Sequence, residues 1–245
     1  MEHRYEIDSR EGLVQYLAAN LLPHGYWFYV TGRVPDGKDP FRIDAKLIAK
    51  YGVALSRQQR ARRKLVGLAN LHYVRWGRLW ILLATHGDHP FFAEEGERIR
   101  DVRHCPLQVG GYSLSVRRGG YLKKLPGDEQ RTPDSKRRVR VQIARERYHD
   151  LKADLLDLAL LRTTEELGQA FGAIRFEPYA PIRRQLLNLL RLMNAKRQEA
   201  GLAKIPPDVL RYRRRIVKPF GPKATSSASG LAPPGRASNV TWSPG

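Results

Sequence analysis

Residues 68 to 84 read Leu68-Ala-Asn-Leu-His-Tyr-Val74, then Arg75-Trp-Gly-Arg78, then Leu79-Trp-Ile-Leu-Leu-Ala84. Two apolar runs joined by so short a link, with Gly77 inside it, predict a β-hairpin. Just before it, Ser56 caps a helix running to about Leu65. Asp39-Pro40 opens an earlier one, in which Phe41, Ala45, Leu47, Ile48 and Tyr51 keep helical spacing until Gly52. A helix over 41–52, a turn at 53–55, a second helix at 56–65 and a hairpin at 68–84 follow the order of a helix-turn-helix with a wing, spanning 41–84. Farther out, the aromatic and β-branched run Tyr26-Trp-Phe-Tyr-Val-Thr-Gly-Arg-Val34 lies between His24-Gly25 and Pro35-Asp36-Gly37, which predicts a strand in the middle of a sheet. Asp8 with Glu11 reads as a capping box for a first helix over about 9–19, with Leu13, Tyr16 and Leu17 on one face.

On the other side of the hairpin, 86–95 reads as a polar loop, and Leu107 to Val116 as one or two strands interrupted by Gly110-Gly111. Residues 119–136 read as an exposed loop. Val139, Val141 and Ile143 then alternate with Arg138, Arg140 and Gln142, the pattern of a half-buried strand with a basic outer face. The character changes near 145. Leu151, Leu155 and Leu158 mark a helix over about 145–161, Thr163 with Glu166 caps a second, and Pro181 opens a third. In that third helix Ile182, Leu186, Leu189, Leu190 and Met193 form one apolar stripe opposite Arg183, Arg184, Arg191 and Lys196, and Gly201 ends it. Leu210 to Val217 reads as a short basic strand or arm. From Gly221 onward 4 Gly, 4 Pro and 5 Ser make 13 of 25 residues, a composition that predicts disorder. The fold class expected is α+β: a mostly antiparallel central sheet from the Tyr26, Leu68, Leu79, Leu107 and Val139 segments, with N-terminal helices and a C-terminal helical part. The chain divides accordingly into an α+β nucleic-acid-binding part over 1–144, a helical part with a basic terminal strand over 145–220, and a tail over 221–245.

The 245 residues carry 44 Lys and Arg against 24 Asp and Glu, a formal charge of +20 that repels itself and favours a polyanionic partner. DNA is the partner expected, with RNA as the alternative. The positive charge is clustered, with smaller groups at Arg117-Arg118, Lys123-Lys124 and Lys136-Arg137-Arg138. In a helix-turn-helix the second helix meets base edges, where arginine suits guanine and glutamine suits adenine. The expected contacts are therefore Arg57, Gln58, Arg60, Arg62, Arg63 and Lys64, with Arg75 and Arg78 from the hairpin and Arg211, Arg213, Arg214 and Arg215 near the end of the chain. A solvated basic helix on an α+β domain is the plain alternative. Cys105 is the sole cysteine, which excludes an intrachain disulfide and a thiolate zinc cluster; with no signal peptide in Met1-Glu-His-Arg-Tyr5, a reducing cytoplasm is expected. The longest apolar stretch, Leu79 to Ala84, is far short of the roughly 20 residues a membrane helix needs, so no membrane partner is expected. No phosphate-binding Gly-x-x-x-x-Gly-Lys-Ser/Thr pattern occurs, which argues against nucleotide hydrolysis. Isolated His72 and His104, and Trp76, Trp80, Phe91 and Phe92 near the hairpin, are expected to be structural.

A second constellation follows the hairpin. His86 and His89 bracket Asp88 directly after a predicted strand, and Tyr148 precedes Lys152 by four residues, on one helix face. Two imidazoles and a carboxylate suit Mg²⁺ or Mn²⁺, and a tyrosine can attack a phosphodiester and hold the cleaved strand. The order strand, helix, hairpin, His-bearing segment and Tyr-x-x-x-Lys helix, over about 26–155, resembles that of the HUH endonucleases, the rolling-circle replication initiators and single-tyrosine transposases. That resemblance implies His86 and His89 as metal ligands, Tyr148 as nucleophile and Lys152 as its helper. In the family one hydrophobic residue separates the two histidines, whereas His86-Gly-Asp-His89 has two residues there and neither is hydrophobic. Read without the family, 86–89 is a polar loop, and Tyr148 and Lys152 are an amphipathic pair with the lysine stem over the ring. The function expected is a basic cytoplasmic DNA-binding protein of bacterial mobile-element or replication type. The alternatives are a metal-dependent tyrosine endonuclease that nicks single-stranded DNA and an RNA-binding or ribosome-associated protein. Oligomeric state and target are left open.

Overall fold

The computed structural model of the chain describes residues 4–119, 122–123, 132–133, 135–174, 178–210 and 217–220, with backbone only at 122, 123, 132 and 133. Arg211, Arg213, Arg214 and Arg215 and the tail over 221–245 lie outside the described residues. In chain order the elements are α1 (Arg10–Tyr16), β1 (Phe28–Arg33), α2 (Pro40–Lys50), α3 (Arg57–Leu65), β2 (Leu71–Trp76), β3 (Leu79–Ala84), α4 (Pro90–Glu95), β4 (Arg100–Asp101), β5 (Leu107–Val109), β6 (Tyr112–Arg118), β7 (Leu122–Lys123), β8 (Thr132–Pro133), β9 (Arg137–Ile143), α5 (Arg145–Leu161), α6 (Thr164–Ala173) and α7 (Ala180–Glu199). The fold is α+β. Among the described residues no helix is long and apolar enough to cross a membrane.

Gly77, at φ +55°, lets the chain reverse in two residues, and β2 and β3 pair from Leu71↔Ala84 to Trp76↔Leu79. β1 pairs antiparallel with the other edge of β3, so the first sheet runs β2-β3-β1-β4 with β1 inside it, as its aromatic run implied. The unbroken apolar sequence of β3 has a physical reason: both faces of this sheet are covered. Val30, Leu71, Tyr73, Leu82 and Ala84 pack with Tyr51, Val53 and Phe91 in one cluster. Tyr29, Val74, Ile81 and Leu83 belong to the other, with Leu13, Val14 and Leu17. That second cluster continues through β5, β6 and β9 into Leu155 of α5, Leu167 of α6 and the α7 stripe Ile182, Leu186, Leu189, Leu190 and Met193.

Several expectations are corrected. The five strand segments do not form one sheet: β5, β6 and β9 make a separate antiparallel three-stranded sheet, with β6 in the middle. Within 119–136, expected as loop, β7 and β8 pair antiparallel. Ser9, not Asp8, caps α1, its hydroxyl accepting from the Gly12 amide at 3.0 Å, and the helix then runs on through a π-helical turn (Leu17–Leu21). The stretch 86–95 is no plain loop, because His89-Pro90 opens α4. At the open edge of β9, Gln185 of α7 substitutes for a neighbouring strand, accepting from the Ile143 amide at 2.8 Å and donating to its carbonyl at 3.2 Å.

Candidate nucleic-acid interface

The α3 sequence Arg57-Gln-Gln-Arg-Ala-Arg-Arg-Lys-Leu65 cannot build a core-facing stripe, and no residue of the helix is buried. Its ends are secured locally instead. The Ser56 hydroxyl accepts from the Gln59 amide at 3.2 Å while the Gln59 side chain accepts from the Ser56 amide at 2.8 Å, a complete capping box. Two residues three apart, Arg60 and Arg63, are half-buried on the body side. Arg63 donates to the Ala69 carbonyl from Nε and Nη2 at 3.2 and 2.9 Å, and Asn70 donates to the Arg60 carbonyl at 3.0 Å. Arg57, Gln58, Arg62 and Lys64 are left exposed, beside a Leu65 that is 86% exposed. Of the six α3 residues expected at a nucleic acid, four are therefore turned outward, Arg63 anchors the helix through its side chain, and Arg60 is tied to the body through its backbone carbonyl while its buried Nε has no hydrogen-bond partner among the described residues.

No Asp or Glu occurs between Asp44 and Asp88, so no acidic side chain from this stretch offsets α3. Nine residues without core contact make a marginal helix, and the like charges of Arg60 and Lys64 at i, i+4 weaken it by about 0.2–0.5 kcal/mol. Arg62, Arg63 and Lys64 in the last turn offset part of that through the helix dipole.

The hairpin arginines are placed otherwise than expected. Arg75 is buried: its Nε meets both oxygens of the fully buried Asp44 at 3.0 and 2.8 Å, Nη2 reaches Glu6 at 2.9 Å and Nη1 the Gly77 carbonyl at 2.8 Å. The Tyr73 hydroxyl donates to Asp44 at 2.6 Å. With its donors occupied beneath the surface, Arg75 is a clamp between α2 and the sheet and presents nothing to a ligand. Arg78, partly exposed, donates from Nε to the Val34 carbonyl at 3.0 Å and from Nη2 to the Pro35 carbonyl, and lies 3.3 Å from Asp36.

The supposed metal ligands serve other purposes. His89 Nδ1 accepts from the Phe91 amide at 3.0 Å and so caps α4, and burial, helped by the charge of Arg63, lowers its pKa. The His86 ring stands edge-on to Phe28, 4.8 Å between centroids, with Nε2 3.5 Å from Arg103 Nη2. Asp88 acts through its backbone, donating to the Gly67 carbonyl at 2.9 Å and accepting from the Ala69 amide at 3.0 Å. Gly87 makes that docking possible: at φ +129°, a Cβ there would lie 2.5 Å from the Ala69 nitrogen and 2.6 Å from the Gly67 oxygen. Among the described residues no three His, Cys, Asp or Glu side chains group to hold a metal, so His86, Asp88 and His89 are not brought together as one set. Tyr148 and Lys152 are both half-buried on α5, the tyrosine against the main core. Burial raises the Tyr148 pKa, the wrong direction for a nucleophile.

Comparisons with protein-family models, curated proteins and solved structures return no match, and so do not bear on the HUH resemblance.

Two features of this end of the molecule escaped the sequence. First, β6 and β9 set Arg117 opposite Arg138 and Arg118 opposite Arg137, pairs of like charge that weaken a sheet when directly opposed. The two clusters were visible in the sequence, their pairing was not. Second, Trp27 collects two guanidiniums, Arg103 at 4.6 Å and Arg137 at 5.0 Å from its ring centroid. The loop at 86–88, hydrogen-bonded to the α3–β2 connection and touching Phe28, links this group to the segment that follows α3.

Proposed function

We propose that the chain binds duplex DNA through a helix-turn-helix in which α3 is the element that enters the major groove. The observation that carries the reading is a capped, exposed helix that contributes nothing to the core and presents Arg57, Arg62 and Lys64 with no acidic neighbour in its own stretch of chain. Supporting it is the order helix, strand, helix, helix, hairpin, with the sheet β2-β3-β1 packed against the end of α2. On this reading Arg57 and Arg62 meet guanine edges or phosphate, Gln58 addresses adenine, and Lys64 holds phosphate. The Arg63 and Arg75 side chains and the Arg60 carbonyl fix the geometry from below. The test is fluorescence anisotropy of labelled duplex DNA with the wild type and with Arg57→Ala/Arg62→Ala/Lys64→Ala. The triple variant is expected to melt like the wild type and to bind duplex DNA at least tenfold more weakly. Unchanged binding refutes the assignment of α3, and tighter binding of the wild type to RNA refutes DNA as the ligand.

A further inference from the structure

We infer that Trp27 and the guanidiniums resting on it form a stacking platform for an unpaired base of a DNA strand leaving the duplex held by α3; the inference rests on that duplex-binding reading.

The platform is built before any ligand arrives. Trp27 Nε1 donates to the Leu22 carbonyl at 3.0 Å, which fixes the ring. Arg103 is fixed as firmly: its Nε lies 2.9 Å from each oxygen of Asp101 and its Nη2 2.6 Å from Oδ2. That pairing sets the guanidinium plane while its carbon stays 4.6 Å from the Trp27 centroid and 5.5 Å from that of Phe28. His86 closes the group, edge-on to both rings. Arg137, from the start of β9, brings a second cation to Trp27.

Cation–aromatic pairs also serve as interior glue, but glue is covered. Here Trp27 and Phe28 are half-buried, the Arg103 side chain keeps 17% of its surface exposed, and His86 and Arg137 are exposed, so the group lies at the surface and not in the interior. Nucleobases stack on aromatic rings and on guanidinium planes, and stacking requires a base free of its own helix. A base in an intact duplex cannot reach such a platform, whereas one in a single-stranded extension can. The placement suits an extension: the loop carrying His86 is hydrogen-bonded to the connection that leaves α3, and Arg137 is the residue at which the arginine-lined edge of β6 and β9 begins.

The test uses the full chain and three labelled probes: a blunt DNA duplex, the same duplex with a short single-stranded DNA extension, and the same duplex with an RNA extension. The wild type is expected to bind the DNA-extended probe about tenfold tighter than the blunt one, within the range of one stacked base. Trp27→Leu, which keeps an apolar side chain without a ring, and Arg137→Ala, at an exposed position, are each expected to lose most of that gain while holding the blunt duplex as the wild type does. Retained blunt binding reports that each variant is folded. Equal wild-type affinity for blunt and extended probes, equal losses on both probes in the variants, or preference for the RNA extension overturns the inference. Failure of the wild type to bind the blunt duplex overturns the α3 reading and this one with it, so the two failures are told apart.

Discussion

Asp44→Asn tests the placement of Arg75. The Asp44 side chain is 0% exposed and that of Arg75 4%, and the two share hydrogen bonds at 2.8 and 3.0 Å. Asparagine keeps the size of the side chain and one acceptor oxygen but removes the charge. Arg75 is then left with the Gly77 carbonyl and with Glu6, whose side chain is 47% exposed and screened by water. Leaving one member of a buried ion pair uncompensated costs about 3–5 kcal/mol. The surviving contact with Glu6 places the expected loss at the lower end, about 3 kcal/mol. In urea unfolding, with a slope of about 2–3 kcal/mol/M, the midpoint should fall by about 1 M or more. Replacing both partners, as Asp44→Leu/Arg75→Met, should recover much of the loss, because the desolvation of both charges goes with them. DNA affinity of the folded Asp44→Asn protein should be unchanged. A loss below about 1 kcal/mol, or a fall in DNA affinity without a fall in stability, would refute the buried clamp.

Three further outcomes are expected. Gly87→Ala adds a Cβ against backbone atoms at a positive φ, so it should destabilise by more than about 2 kcal/mol and strip exchange protection from the Ala69 and Asp88 amides in hydrogen-exchange measurements. The folded-state pKa of His89 lies below its unfolded value near 6.5, so the unfolded chain binds more protons and the His89 contribution, complete above that value, is lost as pH falls through it. Between about pH 7 and pH 5 the wild type should therefore lose more stability than His89→Asn, which keeps a capping acceptor; parallel urea midpoints for the two would contradict this. Arg197 is buried and donates to the carbonyls of Ala159, Arg162 and Ala203 and to the Thr164 hydroxyl, so Arg197→Met should cost about 2–4 kcal/mol, read by thermal unfolding.

Elements written in local chemistry are legible in the sequence. The Gly77 hairpin, the Asp39-Pro40 and Thr163/Glu166 caps and the α7 stripe each depend on residues within one or two turns of each other, and all are present. The α4 start His89-Pro90 repeats the layout of Asp39-Pro40, but histidine is an uncommon cap, and the polar composition of 86–95 reads as loop. Sheet membership was not legible, because alternation in β9 marks a buried face without naming the neighbour, and β6 rather than a strand of the first sheet supplies it. Arginine side chains misled for a related reason. Residue type places Arg75 at the surface, and partners distant in sequence explain its burial, chiefly Asp44, 31 positions away, with Glu6 beside it. On α3 the sequence shows a basic helix without an apolar stripe, so nothing in it says that Arg60 and Arg63 turn inward. The Trp27 group draws on four separate segments and has no local signature at all.

The central claim is that Arg57, Arg62 and Lys64 neutralise DNA phosphate or meet base edges from an exposed α3. It is tested most directly by the slope of log affinity against log salt concentration for duplex DNA, measured for the wild type and for the triple alanine variant. Each phosphate contact contributes about 0.9 to the slope, so the variant should be shallower by about 2–3, with weaker binding at every salt concentration. Identical slopes for the two proteins would contradict the account.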